Sequence, residues 1–115
     1  MNVLELFKPI NTFVFDVDGV LTDGTLLVLP DGVMSRRMNI KDGYALQLAV
    51  KKGYHVVIIS GGNSEAVKQR LVKLGVKEVF LGVHNKQEKL MNVLNLFLFV
   101  HHLLYRKQYL PHLLL

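Results

Sequence analysis

A chain of 115 residues, half of them apolar, can bury the core of one domain and is too short for two. Without cysteine it has neither a disulfide framework nor a thiolate metal site, and it suits a reducing cytoplasm. The net charge of +5 is scattered, with short pairs such as Arg36-Arg37 and Lys51-Lys52, and no aromatic-basic alternation, helix-turn-helix signal or zinc pattern points to nucleic acid.

Met1 to Ile10 carries Glu5 and Lys8 inside its only apolar stretch and has no basic start, so no signal peptide is expected and the location expected is cytoplasmic. Thr12 to Val17 reads as a buried strand. Two short apolar segments, Thr25–Leu29 and Val33–Met38, joined by Pro30-Asp31-Gly32, predict a hairpin. Asp42-Gly43 precedes an amphipathic helix over Tyr44–Val50, ended by Lys51, Lys52 and Gly53. His55–Ile59 is a second strand. A helix capped by Asn63 or Ser64 runs to about Leu74 with Val67, Leu71 and Leu74 on one face, and Gly75 closes it. Glu78–Leu81 predicts a third strand, and another helix starts at Lys86. The alternation implies an α/β fold with a parallel sheet.

From Met91 to Leu115 the composition shifts: 16 of 25 residues are apolar, nine are Leu, and no acid occurs after Glu88. The longest apolar run there, Leu96–Val100, falls far short of the ~20 residues a membrane span needs, so no span is expected. His101 and His102 are poor metal ligands, because adjacent helical residues point about 100° apart.

The chemistry concentrates in two loops. Phe13-Val14-Phe15 delivers Asp16 to the carboxyl edge of the sheet, and Asp18 follows two residues later. Such a pair can divide labour, one carboxylate attacking phosphorus and the other moving a proton on and off the leaving oxygen. The bland alternative is a loop or cation-binding fragment. Ser60 and the amides of Gly61 and Gly62, ahead of a helix, form a suitable cradle for phosphate oxygens; the alternative is a plain strand-to-helix turn.

Four runs, in order, carry a resemblance: Asp16-Val17-Asp18-Gly19-Val20-Leu21-Thr22-Asp23-Gly24, Asn39-Ile40-Lys41-Asp42-Gly43-Tyr44, Ile58-Ile59-Ser60-Gly61-Gly62-Asn63 and Gly82-Val83-His84-Asn85-Lys86. They resemble the haloacid dehalogenase superfamily, and within it the small sugar-acid phosphatases typified by the 3-deoxy-D-manno-octulosonate 8-phosphate phosphatases. The resemblance implies a three-layer Rossmann-like core with a β-hairpin insert over residues 1–90. It leaves the C-terminal part of that core missing and residues 91–115 as an atypical tail, as a changed reading frame or alternative end near residue 90 would produce.

The resemblance also implies roles. Asp16 is the nucleophile that forms an aspartyl-phosphate, Asp18 the general acid and base, and Lys86 the phosphate-stabilising cation, with Lys89 as a rival. Asp16 and the carbonyl of Asp18 hold Mg2+. Arg36, Lys41 and Asp42 face a sugar-acid phosphate, although Arg36 and Arg37 equally suit an edge strand's solvent charges. The hairpin builds a homotetramer in which a neighbour closes the site. The family's further motif, a glycine followed by paired acids, has no counterpart, because no acid follows Glu88. Weak metal binding and weak or absent turnover are therefore expected, and the alternative function is an impaired family member with a folding or oligomerisation role.

Overall fold

The computed structural model describes Glu5 and residues 9–96. Strand β1, Thr12–Phe15, pairs in parallel with β4, His55–Ile59, which pairs in parallel with β5, Glu78–Phe80. The sheet order is therefore β1-β4-β5, with β4 central. Its sequence matches that place: Val56, Val57, Ile58 and Ile59 form an unbroken apolar run and all are buried, as a strand covered on both faces requires. The α/β class with a parallel sheet, expected from the alternation of elements, is the class observed.

The strand read as Thr12–Val17 stops at Phe15. The cause is local, because the Val17 N–H donates to the Asp16 carboxylate at 2.7 Å and the Val17 carbonyl accepts from the amides of Val20, Leu21 and Thr22. That carbonyl gathers the chain into a turn where a ladder would otherwise continue. Strands β2, Leu27–Val28, and β3, Met34–Ser35, pair antiparallel as the expected hairpin. Gly32 takes φ +87° in its turn, and the Asp31 carboxylate accepts from the Val33 N–H.

Helix α1 spans Ile40–Lys51, four residues earlier than its predicted start at Tyr44. Asp42-Gly43 imitates a boundary in the sequence, but Asn39 is the cap: its side-chain oxygen accepts from the N–H groups of Lys41 and Asp42. Asp42 thus stands in the first turn, where a carboxylate favours the helix dipole, and Gly43 lies inside the helix. Helix α2, Glu65–Lys73, follows its prediction, with Ser64 accepting from the Val67 N–H and Gly75 at φ +98° beyond its end. Its Val67 and Leu71, with Leu74 at its cap, join Val17, Leu21, Leu46, Val56, Ile58 and Val76 in one core.

By internal contacts the chain divides into two units, residues 1–84 and 85–115. The second begins with helix α3, residues 86–96, whose cap Asn85 accepts from the Glu88 N–H at 3.0 Å. His101, His102 and the rest of the expected tail beyond residue 96 lie outside the described residues. Among the described residues no helix is long and apolar enough to cross a membrane.

Candidate active site at the carboxyl edge of the sheet

Asp16 is the first residue after β1 and Ser60 the first after β4, and these strands are neighbours, with Phe15 opposite Ile58. Parallel pairing thus sends both loops out at the same edge of the sheet, where ligands of open α/β sheets bind. The first loop is built to hold its shape. Thr22, itself buried, accepts from the N–H of Gly19 and of Gly24, each at 3.2 Å, and both glycines take positive φ. Nothing in the sequence analysis assigns Thr22 a role; its place three residues after one glycine and two before another is the signal for it.

The second loop is braced from behind. The Gly62 N–H donates to the Ser60 hydroxyl at 3.2 Å, and the carbonyls of Ser60 and Gly62 accept from the amides of Val83 and Gly82. Ser60 is 1% exposed, whereas Gly61 is open to solvent. Of the two amides read as phosphate donors, the Gly62 N–H therefore has the Ser60 hydroxyl as an internal acceptor.

The two loops meet through Arg36. Its Nε donates to Asp18 Oδ1 at 2.7 Å and its Nη2 to Oδ2 at 3.3 Å, the fork matching the carboxylate as a bidentate pair does. Val17, Arg36, Ser60, Gly62 and Ser64 line one crevice too tight for water. The hydrogen bond to Asp18 holds Arg36 above its ordinary pKa against the opposing pull of partial burial. Sequence spacing gave no sign of this pairing, because 18 residues and the hairpin separate the partners.

Arg37 is exposed and lines an open groove of about 360 Å³ with Asp23, Asn39, Asp42 and the loop from Val20 to Thr22. Asp23, fully exposed, is held below the usual carboxylate range first by the Thr25 hydroxyl at 2.6 Å and then by the Thr25 N–H, with Arg37 assisting. Lys41 is exposed on the first turn of α1. Lys86 opens α3, in the second unit, and Lys89 follows on the same helix.

Among the described residues no group of three or more His, Asp or Glu side chains is placed to hold a metal. The Asp18 carboxylate is engaged by Arg36, and what the loop after β1 offers a cation is oxygen of the carboxylate and carbonyl kind, which a hard ion such as Mg2+ prefers.

No family model matches the chain. The 3-deoxy-D-manno-octulosonate 8-phosphate phosphatase KdsC of Escherichia coli K12 is 32% identical over 85 residues, which are 74% of this chain and 45% of that protein. The phosphatase of the same name from Moraxella catarrhalis, solved in complex with a magnesium ion, a phosphate ion and a KDO molecule, superposes with a TM-score of 0.76 at 28% identity, over 84% of this chain and 57% of that one. A HAD superfamily (subfamily III A) hydrolase of Legionella pneumophila gives a TM-score of 0.77 at 29% identity, over 83% of this chain and 52% of that one. The chain thus spans about half the length of the relatives it matches.

Proposed function

We propose that the chain is a member of the haloacid dehalogenase superfamily and, within it, a magnesium-dependent phosphomonoester hydrolase acting on a sugar-acid phosphate of the 3-deoxy-D-manno-octulosonate 8-phosphate type. The observation that carries the reading is the meeting of two loops at one sheet edge, Asp16 and Asp18 after β1 and Ser60-Gly61-Gly62 after the adjacent β4. A carboxylate nucleophile needs a phosphate held in line with it, and neighbouring parallel strands supply both at fixed spacing.

In this reading an Asp16 carboxylate oxygen attacks phosphorus while Asp18 gives its proton to the departing sugar oxygen. Asp18 then takes a proton from the water that cleaves the aspartyl-phosphate. The Ser60 hydroxyl and the Gly61 amide bind the phosphoryl oxygens while the Gly62 amide braces that hydroxyl, and by resemblance to the family Lys86 adds positive charge and Lys41 and Asp42 contact the sugar acid. Mg2+, held by Asp16 and the Asp18 carbonyl, would supply charge neutralisation of the phosphoryl group. The exposed apolar hairpin, with Leu27 and Val28 64% and 65% exposed, supports self-association as a homo-oligomer, and we place the activity in the cytoplasm.

One observation favours a second reading. No third acidic side chain joins the donor set among the described residues, so an impaired member with a folding or oligomerisation role is the alternative. Phosphate release from a panel of sugar-acid phosphates, with and without Mg2+, compares the chain with its Asp16→Asn variant. Metal-dependent turnover that the substitution abolishes supports the hydrolase. Folded protein with no turnover above the variant supports the alternative.

A further inference from the structure

An arginine serving only as a solvent charge at a strand end keeps its guanidinium in water, as Arg37 does; Arg36 does not, its side chain being 8% exposed against 36% for the Asp18 side chain it holds. Nε and Nη2 grip Asp18, and Nη1 donates to the Met34 carbonyl of β3 at 3.1 Å. Each guanidinium nitrogen therefore has a partner, one on the hairpin and two on the loop after β1. Gly62 closes the third side, since a methyl group there would stand 2.9 Å from Nη2 and 3.0 Å from the Asp18 Oδ2.

Arg36 follows directly on β3, whose two residues pair with only two of β2. So short a ladder specifies its register weakly, and a slip of one residue would turn the side chain at position 36 to the opposite face. The Asp18 pairing depends on the hairpin's register, and the register in turn gains from the pairing.

We propose that Arg36 is a positioning residue: it fixes the orientation of the Asp18 carboxylate and couples that orientation to the folding of the β2–β3 hairpin. The proposal rests on the reading of Asp18 as the acid-base group and assigns Arg36 to Asp18 in place of the sugar acid. Whatever orders the hairpin, including a second copy of the chain, thereby sharpens the site.

The test uses the full-length chain with Arg36→Ala and Arg36→Lys, each checked for folding by urea unfolding, on p-nitrophenyl phosphate with Mg2+. A misoriented acid-base group predicts kcat lower by roughly ten- to a hundredfold with KM nearly unchanged, and partial rescue of the Ala variant by added guanidinium. A raised KM at unchanged kcat would make Arg36 a substrate contact and overturn the proposal. A second readout needs no turnover: by ¹⁵N NMR, the Arg36 Nε–H exchanges slowly, and Asp18→Ala, which removes the acceptor, abolishes that protection while speeding exchange of the Leu29 amide in the hairpin. An Nε–H that exchanges as fast as that of Arg37 would overturn the proposal. If the wild-type chain shows no turnover, the phosphatase reading fails by itself, and the exchange result still decides the role of Arg36.

Discussion

Replacing Gly62 by alanine isolates the contact between the two loops. Gly62 is not among the glycines with positive φ, so its backbone accepts alanine, and the whole cost arises from the new methyl group against Arg36 Nη2 and Asp18 Oδ2. Neither atom yields cheaply, because the guanidinium is held at three nitrogens. The longer arm of the fork, Nη2 to Oδ2 at 3.3 Å, is the one that breaks. A hydrogen bond between charged groups contributes about 1.5–3 kcal/mol, and the partial exposure of Asp18 cuts this to roughly half. Alanine returns about 0.4–1 kcal/mol by restricting the unfolded chain. The net expectation is a loss of about 0.5 kcal/mol, read as a lower urea midpoint at unchanged slope. In an Arg36→Ala background the 2.9 Å contact is gone and the Asp18 side chain, no longer held by the guanidinium, can move off the other, so Gly62→Ala becomes neutral or stabilising. Equal destabilisation in both backgrounds would refute the reasoning, because the methyl group would then be meeting something other than this pair.

Gly43→Ala is expected to stabilise the chain by about 0.5–1 kcal/mol, since the helix gains propensity; the nearest atom, Arg70 Nη2 at 2.9 Å, is the tip of an exposed side chain, and thermal melting reads the gain. Leu71→Ala empties a site of 0% exposure and should cost about 2–5 kcal/mol, a large share of the stability of a domain of this size, read as a much lower urea midpoint. Because Asp23 has its pKa lowered on folding, it contributes stability that is present above the usual carboxylate pKa and is lost as pH falls through the lower, folded value. Thr25→Val, which removes the hydroxyl donor, should flatten the acid limb of the stability profile below about pH 4, measured by urea midpoints across pH.

Much of the scaffold was legible because its signals are local. The apolar run of β4, the Ser64 cap with the Val67-Leu71-Leu74 stripe, and the Pro30-Asp31-Gly32 turn each state their element within a few residues. The start of α1 was misjudged because Asp42-Gly43 imitates a boundary, while Asn39, the actual cap, lay one turn earlier. The end of β1 was misjudged because nothing in the apolar pattern shows Val17 giving its carbonyl to three later amides. At the site, the loops carrying Asp16 and Ser60 could be read from strand ends, since parallel strands present them together. The Arg36–Asp18 pair could not, because it depends on how a hairpin folds back, which charge spacing does not encode.

The sheet order also bears on how the site comes together. Thr12 pairs with His55 and Val57 with Glu78, so the crossover joining β1 to β4 is about twice as long as the one joining β4 to β5. A doubled loop costs only about 0.6 kcal/mol more to close, but the longer one must also order a hairpin whose two-residue strands are marginal alone. Loop closure therefore favours strand β4, helix α2 and β5 as the earlier folding unit, and the Ser60-Gly61-Gly62 turn, braced by Gly82 and Val83, is complete within those elements and the loop after them. β1 is then expected to dock afterwards and to bring Asp16 with it. Run in reverse, that order would part Asp16 from the sheet edge before the Ser60-Gly61-Gly62 turn unravels, and amide exchange should show β1 opening before β5 in a mildly destabilised chain.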